Sequence, residues 1–501
     1  MRLDTTNPPT GTVRDWIAAR AQEGGVAYTF PDGEPDLTWA ELQTQSRKLA
    51  QMLTARGHIR EESVAIVMPN CRDALIAFFG TVYGGFKAVM INLVAGNDAI
   101  SYALEHSEAR VAFVHDSQLE LFKEAAKDDV EILQVHVEEE TSAELHSLSA
   151  DTQALLMYTS GTTGRPKGVV HTQASLLAGG WTTAVAHQLT GADRGYCVLP
   201  IYHINGLCVT VISTLVSGGS LAMCPKFSTS SFWSNAQRAE VTWFSVVPTI
   251  ISHLLHSDID PSEETKKRIR FGRSASAPLS PDVQRAFEDR FGMPIIETMG
   301  LTETAAQILS NPLPPGTRKI GSPGVAFGNE AVILSTTFEP VAAGEEGELA
   351  VRGPNVMQLY LKNPDATEDT FTQDGWMRTG DLARQDEDGY IFITGRLKEL
   401  IIKGGENIAP REIDEALYTH PDVIEAAAFP QPCKTYGERV EAAVAVKEGS
   451  NLTEESLIEI CRARLGKFKS PDAVYFLKEL PKGPSGKIQR KNIADEVSAF
   501  R

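Results

Sequence analysis

Short apolar runs alternate with amphipathic stretches between residues 38 and 150. Continuous apolar runs are typical of strands buried on both faces, whereas apolar positions three and four residues apart are typical of helices packed on one side. This pattern predicts strands at 64–68, 88–93 and 111–114, and helices at 39–56, 73–84 and 99–106. Thr38 followed by Glu41 predicts a capping box at the first helix, and Asp98 predicts the N-cap of the third.

The same alternation continues from residue 185 to residue 305. Predicted strands lie at 197–199, 220–222, 243–246 and 295–297, and predicted helices at 206–216, 228–239 and 281–291. Such alternation favours parallel sheets with helices on both faces. After residue 310 the pattern changes to short β-rich runs separated by Gly and Pro, at 331–334, 348–352 and 390–394, which predict a small barrel or meander.

The last hundred residues have a pattern of their own, with predicted helices at 410–419 and 454–465 and strands at 426–429 and 441–446. We therefore predict an α/β protein in two domains. Residues 1–397 would form a large N-terminal domain of parallel-rich sheets and helices, with a β-barrel-like subdomain at about 310–395. Residues 398–501 would form a smaller, mobile α+β domain, with the junction at 396–399.

Composition narrows the classes of function. The chain has 501 residues, 42% of them hydrophobic and 22% charged, which is ordinary for a globular protein of more than one domain. A formal charge of −18 disfavours nucleic acid and anionic membranes as partners. The apolar segment 64–94 is interrupted by charged residues and the N-terminus lacks an apolar signal core, so we expect a cytoplasmic monomer or homodimer. Six well-separated cysteines without a CxxC pair predict reduced thiols.

A loop of hydroxyls, glycines and cations follows the apolar run 154–157. Its sequence is Tyr158-Thr159-Ser160-Gly161-Thr162-Thr163-Gly164-Arg165-Pro166-Lys167-Gly168. Glycines let backbone N–H groups approach a phosphate closely, hydroxyls donate hydrogen bonds, and the cations offset charge. The loop is not a Walker A motif, because no Gly-Lys-Ser/Thr step ends it. It predicts a phosphate-binding site of another kind.

This loop resembles the phosphate loop of the AMP-forming acyl-CoA synthetase superfamily, the adenylate-forming enzymes. The resemblance extends from about residue 35 to residue 491 through several separated motifs. It implies an enzyme that uses ATP and Mg²⁺ to activate a small carboxylic acid and then transfers the acyl group to coenzyme A. The carboxylate attacks the α-phosphorus of ATP, and pyrophosphate leaves. The resemblance also implies that the C-terminal domain rotates on the larger one between the two steps.

The resemblance assigns catalytic roles to residues in two separate motifs. Lys487, in the Gly-rich turn 481–488, is implied as the lysine that contacts the carboxylate and the α-phosphate. Glu303 follows a predicted strand end, where sheet ligands bind, and a carboxylate beside phosphates suits Mg²⁺. Thr162 is implied as a second metal contact, and Thr302 as a hydrogen-bond donor to the α-phosphate.

Further positions are implied to bind the nucleotide and the thiol. Asp381 resembles the aspartate that binds the ribose hydroxyls, and Arg396 the arginine that assists it. Lys398 matches the hinge, and the paired glycines 404 and 405 would let the backbone pass close to a pantetheine arm. The implied cofactor-binding set is Thr159, Ser160, Gly161, Thr162, Thr163, Lys167, Ser276, Ala277, Pro278, Glu297, Thr298, Met299, Asp381, Arg396, Lys398, Gly404 and Gly405.

The candidate acid pocket is rich in hydroxyl and amide side chains. Its members are His203, Asn205, Ser274, Ser276, Gly300, Ala306, Gln307 and Asn311. His203 is either a catalytic, gating residue or a core histidine. Segments 273–279 and 310–314 resemble the oxalate–CoA ligase branch, which implies a short, polar, doubly anionic acid. Ala306 stands where oxalate enzymes carry a histidine, which leaves room for a longer anion such as sulfoacetate or malonate.

Two other functions stay open at this stage. An enzyme of the same superfamily could activate a medium-chain or aryl acid, or load a separate carrier protein. A nucleotide-binding regulator without catalysis is the alternative from another class. The presence of both Glu303 and Lys487 disfavours the regulator.

Overall fold

The computed structural model describes residues 3–127, 129–137, 141–159, 166–483 and 486–498. Its helices are α1 (Val13–Glu23), α2 (Trp39–Ala55), α3 (Arg72–Gly84), α4 (Asn97–Ser107), α5 (Leu119–Ala125), α6 (Gln173–Ala186), α7 (Ile204–Gly206), α8 (Ser213–Ser217), α9 (Phe232–Arg238), α10 (Pro248–Leu255), α11 (Glu263–Arg268), α12 (Pro281–Phe291), α13 (Pro364–Thr370), α14 (Pro410–Leu417), α15 (Glu454–Lys469) and α16 (Arg490–Ser498). A π-helical turn, Leu207–Ile212, joins α7 to α8, and 3₁₀ turns cover Asp116–Gln118 and Thr302–Thr304.

The strands of the N-terminal part are β1 (Val26–Thr29), β2 (Leu37–Thr38), β3 (Ser63–Val67), β4 (Lys87–Met90), β5 (Val111–Val114), β6 (Glu131–Leu133), β7 (Gln153–Thr159), β8 (Lys167–Thr172), β9 (Arg194–Cys197), β10 (Ser220–Met223), β11 (Trp243–Val246), β12 (Phe271–Ser274), β13 (Ile295–Leu301), β14 (Ala306–Ser310), β15 (Val325–Ala326), β16 (Glu330–Leu334), β17 (Glu346–Arg352), β18 (Leu359–Tyr360), β19 (Met377–Gln385) and β20 (Ile391–Arg396). Those of the C-terminal part are β21 (Ile401–Lys403), β22 (Glu406–Ile408), β23 (Val423–Cys433), β24 (Gly437–Val446) and β25 (Val474–Phe476).

Two large sheets build the N-terminal part. The first has nine strands in the order β15-β14-β13-β12-β11-β9-β10-β1-β2, and the second has seven in the order β18-β8-β7-β4-β3-β5-β6. Pairing is parallel from β13 through β1 and from β7 through β6, which confirms the predicted parallel-rich architecture. Parallel strands end at one edge of their sheet, so the loops after β11, β12 and β13 lie at a common rim.

A third sheet is antiparallel, in the order β16-β17-β19-β20. Its first and last strands lie at opposite edges of the sheet. The β-rich segment is therefore a meander, which is one of the two forms predicted for it. The pairing of β19 with β20 sets Asp381 opposite Arg396. This register places a carboxylate and a guanidinium together at the end of the sheet that faces the C-terminal part.

The C-terminal part has its own sheet, in the order β22-β21-β24-β23 with β25 beside β24. Its two apolar cores are separate from those of the larger part, and one contains Ile401, Ile413, Val440 and Leu457. Helices α14 and α15 cover one face. The predicted α+β character of this segment is therefore observed.

Two helix N-termini differ from the prediction. Thr38 caps α2 and accepts a hydrogen bond from the Glu41 N–H at 3.1 Å, but the Glu41 carboxylate pairs with Arg72 instead of closing a capping box. Helix α4 begins behind Gly96, so Asp98 lies in its first turn instead of capping it. A long-range ion pair and a turn glycine decide these details, and neither is visible in the local pattern.

No helix in the described ranges is long and apolar enough to cross a membrane. The six cysteines are free thiols, and all except Cys433 are buried. Burial raises the pKa of Cys71, Cys197 and Cys461 to about 12, so these thiols are protonated at neutral pH.

Candidate active site

A cavity of about 210 Å³ lies between the rim of the nine-stranded sheet and the C-terminal part. It collects residues that are far apart in the sequence. Those predicted as site residues are Ser276, Ala277, Pro278, Glu297, Thr298, Met299, Gly300, Asp381, Arg396 and Lys487. The fold thus gathers segments 276–278, 297–300, 381–396 and 487 around one space, although no local pattern connects them.

Lys487 enters this cavity from the C-terminal part. It lies in a turn closed by the hydrogen bond from the Gly483 N–H to the Lys487 carbonyl, at 2.7 Å. Burial lowers the pKa of the Lys487 ammonium, while the carboxylates of Glu399 and Asp381 act in the opposite direction. An amine held in this way between opposite charges suits a role in offsetting negative charge on a bound group.

Asp381 and Arg396 form the wall next to Lys487. The Arg396 Nε lies 3.3 Å from the Asp381 Oδ1, on paired strands of the meander. Burial raises the pKa of the Asp381 carboxyl, and Arg396 and Lys487 counteract that shift. The carboxylate is thus held in place by a cation and lies where a diol could approach it.

Glu303 lies in the 3₁₀ turn after β13, and the hydroxyl of Tyr360 donates a 2.8 Å hydrogen bond to its Oε1. The ammonium of Lys167 lies 4.3 Å from the centre of the Tyr360 ring. Within the described ranges, Glu303 Oε2 has no hydrogen-bond partner, which leaves an oxygen of the kind that Mg²⁺ prefers. Sequence reasoning missed Tyr360, since a lone tyrosine on the short strand β18 carries no motif.

A buried polar network lies behind Ser276. The Asn205 amide donates to the Ser276 hydroxyl at 3.1 Å, and the Asn205 Oδ1 accepts from Arg273 at 2.9 Å and from Ser245 at 3.1 Å. Two Arg273 nitrogens also lie 3.4 and 3.5 Å from the Gln307 Oε1. Sequence reasoning named Asn205, Ser276 and Gln307 but missed Arg273 and Ser245, which occupy apolar-looking strands.

Two residues near the rim of the cavity have left-handed backbone conformations, and one glycine there allows two strands to approach closely. Ser276 has φ = 73° and Ala306 has φ = 87°, left-handed conformations that are uncommon outside glycine and concentrate at functional sites. At Gly300, a Cβ atom would lie 1.7 Å from the Ala306 carbonyl oxygen. Only glycine therefore permits the close approach of β13 to β14.

Three of the predicted site residues have a buried polar atom that lacks a partner. Within the described part of the chain, His203 Nε2, Ser274 Oγ and Glu297 Oε2 are buried without a hydrogen-bond partner. Such atoms are costly unless a ligand or water satisfies them. Burial lowers the pKa of His203 to about 4, so the imidazole is neutral at neutral pH. The donors and acceptors present fit a nucleotide, a polar acid and a divalent metal.

Other predicted residues lie outside the cavity wall. Asn311 is buried and holds backbone groups of Glu297, Ser322 and Lys319, which is a structural role. Ala306, Gln307, Ser274 and Asn205 are buried behind the wall, and His203 is partly buried in the segment before α7. Thr302, Glu303, Lys167 and Thr159 lie at the sheet ends. Lys398, Gly404 and Gly405 lie in the junction and the β21–β22 hairpin. The predictions for Ser160, Gly161, Thr162 and Thr163 fall outside the described residues.

The C-terminal part is held over the cavity mainly through hydrogen bonds to backbone carbonyls. Thr249 and Ser252 on α10 donate to the carbonyls of Gly486 and Ile424, at 3.1 and 2.6 Å. In the other direction, the guanidinium of Arg411 donates to the Ile393 carbonyl at 2.5 Å. These contacts keep Lys487 in the cavity.

Comparison with known proteins agrees with this geometry. The AMP-binding enzyme family model matches residues 16–361, and the model of the AMP-binding enzyme C-terminal domain matches residues 412–487. The chain is 44% identical to a sulfoacetate–CoA ligase of Cupriavidus necator over 93% of this chain and 94% of that protein. It is 34% identical to an oxalate–CoA ligase of Arabidopsis thaliana over 94% of this chain and 96% of that protein.

The crystal structure of ATP-bound MatB from Rhodopseudomonas palustris superposes with a TM-score of 0.87 at 29% identity, covering 98% of this chain and all of that one. The fold, the two matched segments and the full-length relatives lead to one assignment. The chain belongs to the AMP-binding enzyme family, and within it to the AMP-forming acyl-CoA synthetases that include the sulfoacetate– and oxalate–CoA ligases.

Proposed function

We propose that this AMP-forming ligase activates a short, doubly anionic carboxylic acid of the sulfoacetate type and transfers it to coenzyme A. As in the rest of its family, ATP, Mg²⁺ and coenzyme A take part. The observation that carries the proposal is the placement of the Lys487 amine in one cavity with Asp381, Arg396 and the polar wall at Ser276. We further propose that the protein works in the cytoplasm as a monomer or homodimer.

In the first step the acid carboxylate attacks the α-phosphorus of ATP, and pyrophosphate departs. Asp381 would accept hydrogen bonds from the ribose hydroxyls, with Arg396 keeping it in place. The Lys487 ammonium would neutralise charge that develops at the α-phosphate and align the carboxylate. Mg²⁺, when bound, would offset charge on the departing phosphates, and Glu303, oriented by Tyr360, would hold it.

The acid would occupy the region between Ser276, Gly300 and the buried layer behind them. The partners there are hydroxyls and amides, which suit a second anionic group better than an alkyl chain. Ala306 is small and 4% exposed, so it leaves more room than a histidine would. This favours a tetrahedral sulfonate on one carbon over the compact oxalate ion.

In the second step the C-terminal part would turn about Lys398 and exchange Lys487 for the hairpin of Gly404 and Gly405. Gly404 has φ = 61° and Gly405 has φ = 87°, and a Cβ at Gly405 would have no neighbour within 4 Å. An open, glycine-only backbone of this kind suits passage of a pantetheine arm. The hydrogen bonds from Thr249 and Ser252 would break during this rotation.

A pyrophosphate-release screen tests the proposal. Sulfoacetate, oxalate, malonate, acetate, octanoate and benzoate are offered with ATP and Mg²⁺, with and without coenzyme A, and thioester products are measured by mass spectrometry. We expect the highest kcat/KM with sulfoacetate and full turnover with free coenzyme A. Preference for octanoate or benzoate would refute the substrate class. Adenylation without transfer to coenzyme A would indicate a carrier protein as acceptor.

A further inference from the structure

Arg273 is a fully buried arginine on β12, with 1% of its surface exposed. Its three contacts, Asn205, Ser245 and Gln307, are all neutral. In the described part of the chain, no carboxylate lies within ion-pair distance of its guanidinium. Burial lowers the pKa of Arg273 to about 9, so the side chain still carries its charge at neutral pH.

A buried charge without a partner destabilises the fold, because the interior does not replace the hydration that the ion loses. An apolar side chain of similar volume would fill the same place on β12 at lower cost. Phe271, two positions earlier and therefore on the same face of this strand, is a buried apolar residue. The charge is therefore not explained by packing of the sheet.

The guanidinium is connected to the cavity through one amide. Because the Asn205 Oδ1 accepts from both Arg273 and Ser245, its Nδ2 is turned toward Ser276, which lines the cavity. Arg273 thereby fixes the orientation of the Asn205 amide and, through it, of the Ser276 hydroxyl. Its charge also adds a positive potential behind these two groups. Low dielectric strengthens that potential at the cavity wall.

We propose that Arg273 is the specificity-determining positioning residue for the second anionic group of the acid, acting through Asn205 and Ser276. The inference rests on the proposed function, since it concerns the acid end of the same cavity. The anion supplies the negative charge that the fold omits around Arg273. A monoanionic acid of equal shape leaves the charge of the guanidinium uncompensated, so this acid is bound more weakly.

The test compares two acids of the same shape. Sulfoacetate and 3,3-dimethylbutanoate each carry a tetrahedral group on the α-carbon of acetate, but only sulfoacetate has a second charge. For each acid we measure kcat and KM by pyrophosphate release, and the dissociation constant by calorimetry with a non-hydrolysable ATP analogue present. We expect the wild-type protein to prefer sulfoacetate by at least about 100-fold in kcat/KM.

Two variants remove the free charge in different ways. Arg273→Met deletes the cation. Gln307→Glu places a carboxylate where the Oε1 now lies 3.4 Å from the guanidinium, and it also removes the hydrogen bond from the Gln307 Nε2 to the Thr182 carbonyl. In both variants the loss of kcat/KM, through KM and the dissociation constant, should be at least about 30-fold greater for sulfoacetate than for 3,3-dimethylbutanoate. Arg273→Lys keeps an ionisable amine but loses the guanidinium fork, so it should keep only part of the preference, and less of it as the pH rises.

Arg285→Met is the matched control, because it removes an arginine from the exposed surface of α12. It should leave the preference unchanged. Equal losses for both acids in Arg273→Met, or an unchanged preference in folded Gln307→Glu, would overturn the role of Arg273. If the wild-type protein releases no pyrophosphate with any short acid, the proposed function itself fails, which is a different result.

Discussion

Replacement of Tyr360 by phenylalanine removes one hydroxyl and leaves the ring under Lys167 in place. Tyr360 is 6% exposed, and its hydroxyl donates to Glu303 Oε1 at 2.8 Å. A hydrogen bond to a charged group contributes about 1.5–3 kcal/mol. At about 1.4 kcal/mol per factor of ten, that energy corresponds to about 10- to 100-fold in an equilibrium constant.

In the proposed mechanism the hydrogen bond orients the Glu303 carboxylate so that Oε2 is available to Mg²⁺, and outer-shell contacts of this kind alter metal affinity by about 10- to 100-fold. We therefore expect the Mg²⁺ concentration for half-maximal pyrophosphate release to rise about 10-fold, with a smaller change in kcat at saturating Mg²⁺.

The assay is initial-rate pyrophosphate release over a Mg²⁺ titration at fixed ATP. Tyr390→Phe is the control, because Tyr390 is also buried and its hydroxyl also donates a hydrogen bond, but to the Thr317 carbonyl instead of Glu303. Thermal melts show that both variants are folded. A half-saturating Mg²⁺ concentration in folded Tyr360→Phe within 2-fold of wild type would refute the role assigned to the Tyr360–Glu303 pair.

Three further predictions concern the amine and the rim. Lys487→Ala should slow adenylate formation about 10²–10³-fold but leave thioester formation from supplied acyl-adenylate intact, whereas the exposed control Lys478→Ala should affect neither step. Because burial lowers the pKa of Lys487, its charge is lost as the pH rises through a value below 10.5, so kcat/KM for adenylation should fall at alkaline pH. That alkaline limb should be absent from Lys487→Ala. Gly300→Ala should lower the free energy of unfolding in urea by about 3 kcal/mol, since its Cβ meets the Ala306 carbonyl, and an unchanged midpoint would contradict this.

The sequence supports the fold well where local pattern and burial agree. Strands 111–114 and 243–246 and helix 281–291 were predicted with the bounds that the structure has. The β13 prediction stopped at residue 297, whereas the strand continues to Leu301. Glu297 and Thr298 are polar and interrupt the apolar run, and the last three residues are only partly buried, so pairing with β14 keeps the end of the strand extended.

The candidate site likewise contains some residues that the sequence identifies and others that it does not. Lys487, Asp381 and Arg396 could be named because each lies in a motif, and the cavity does bring them together. Tyr360 and Arg273 could not, because their importance comes from partners 57 and 68 positions away in the sequence, Glu303 and Asn205. For Arg273, the sequence offers one signal, a charged residue within an apolar strand. This signal indicates a buried charge, but it does not show which residues contact that charge.

The contacts that dock the C-terminal part have a consequence for how such proteins can change. The hydroxyls of Thr249 and Ser252 donate hydrogen bonds to the backbone carbonyls of Gly486 and Ile424, and every residue type has such a carbonyl. The contact at Ile424 therefore does not depend on the side chain there, whereas position 486 requires glycine, because its φ is 78° and a Cβ would lie 3.0 Å from Val247 Cγ2. A C-terminal segment from a relative that keeps Gly486 and Arg411 should therefore dock on this larger domain and place its lysine in the cavity. Apart from such positions, the two parts can diverge without losing the proposed first step.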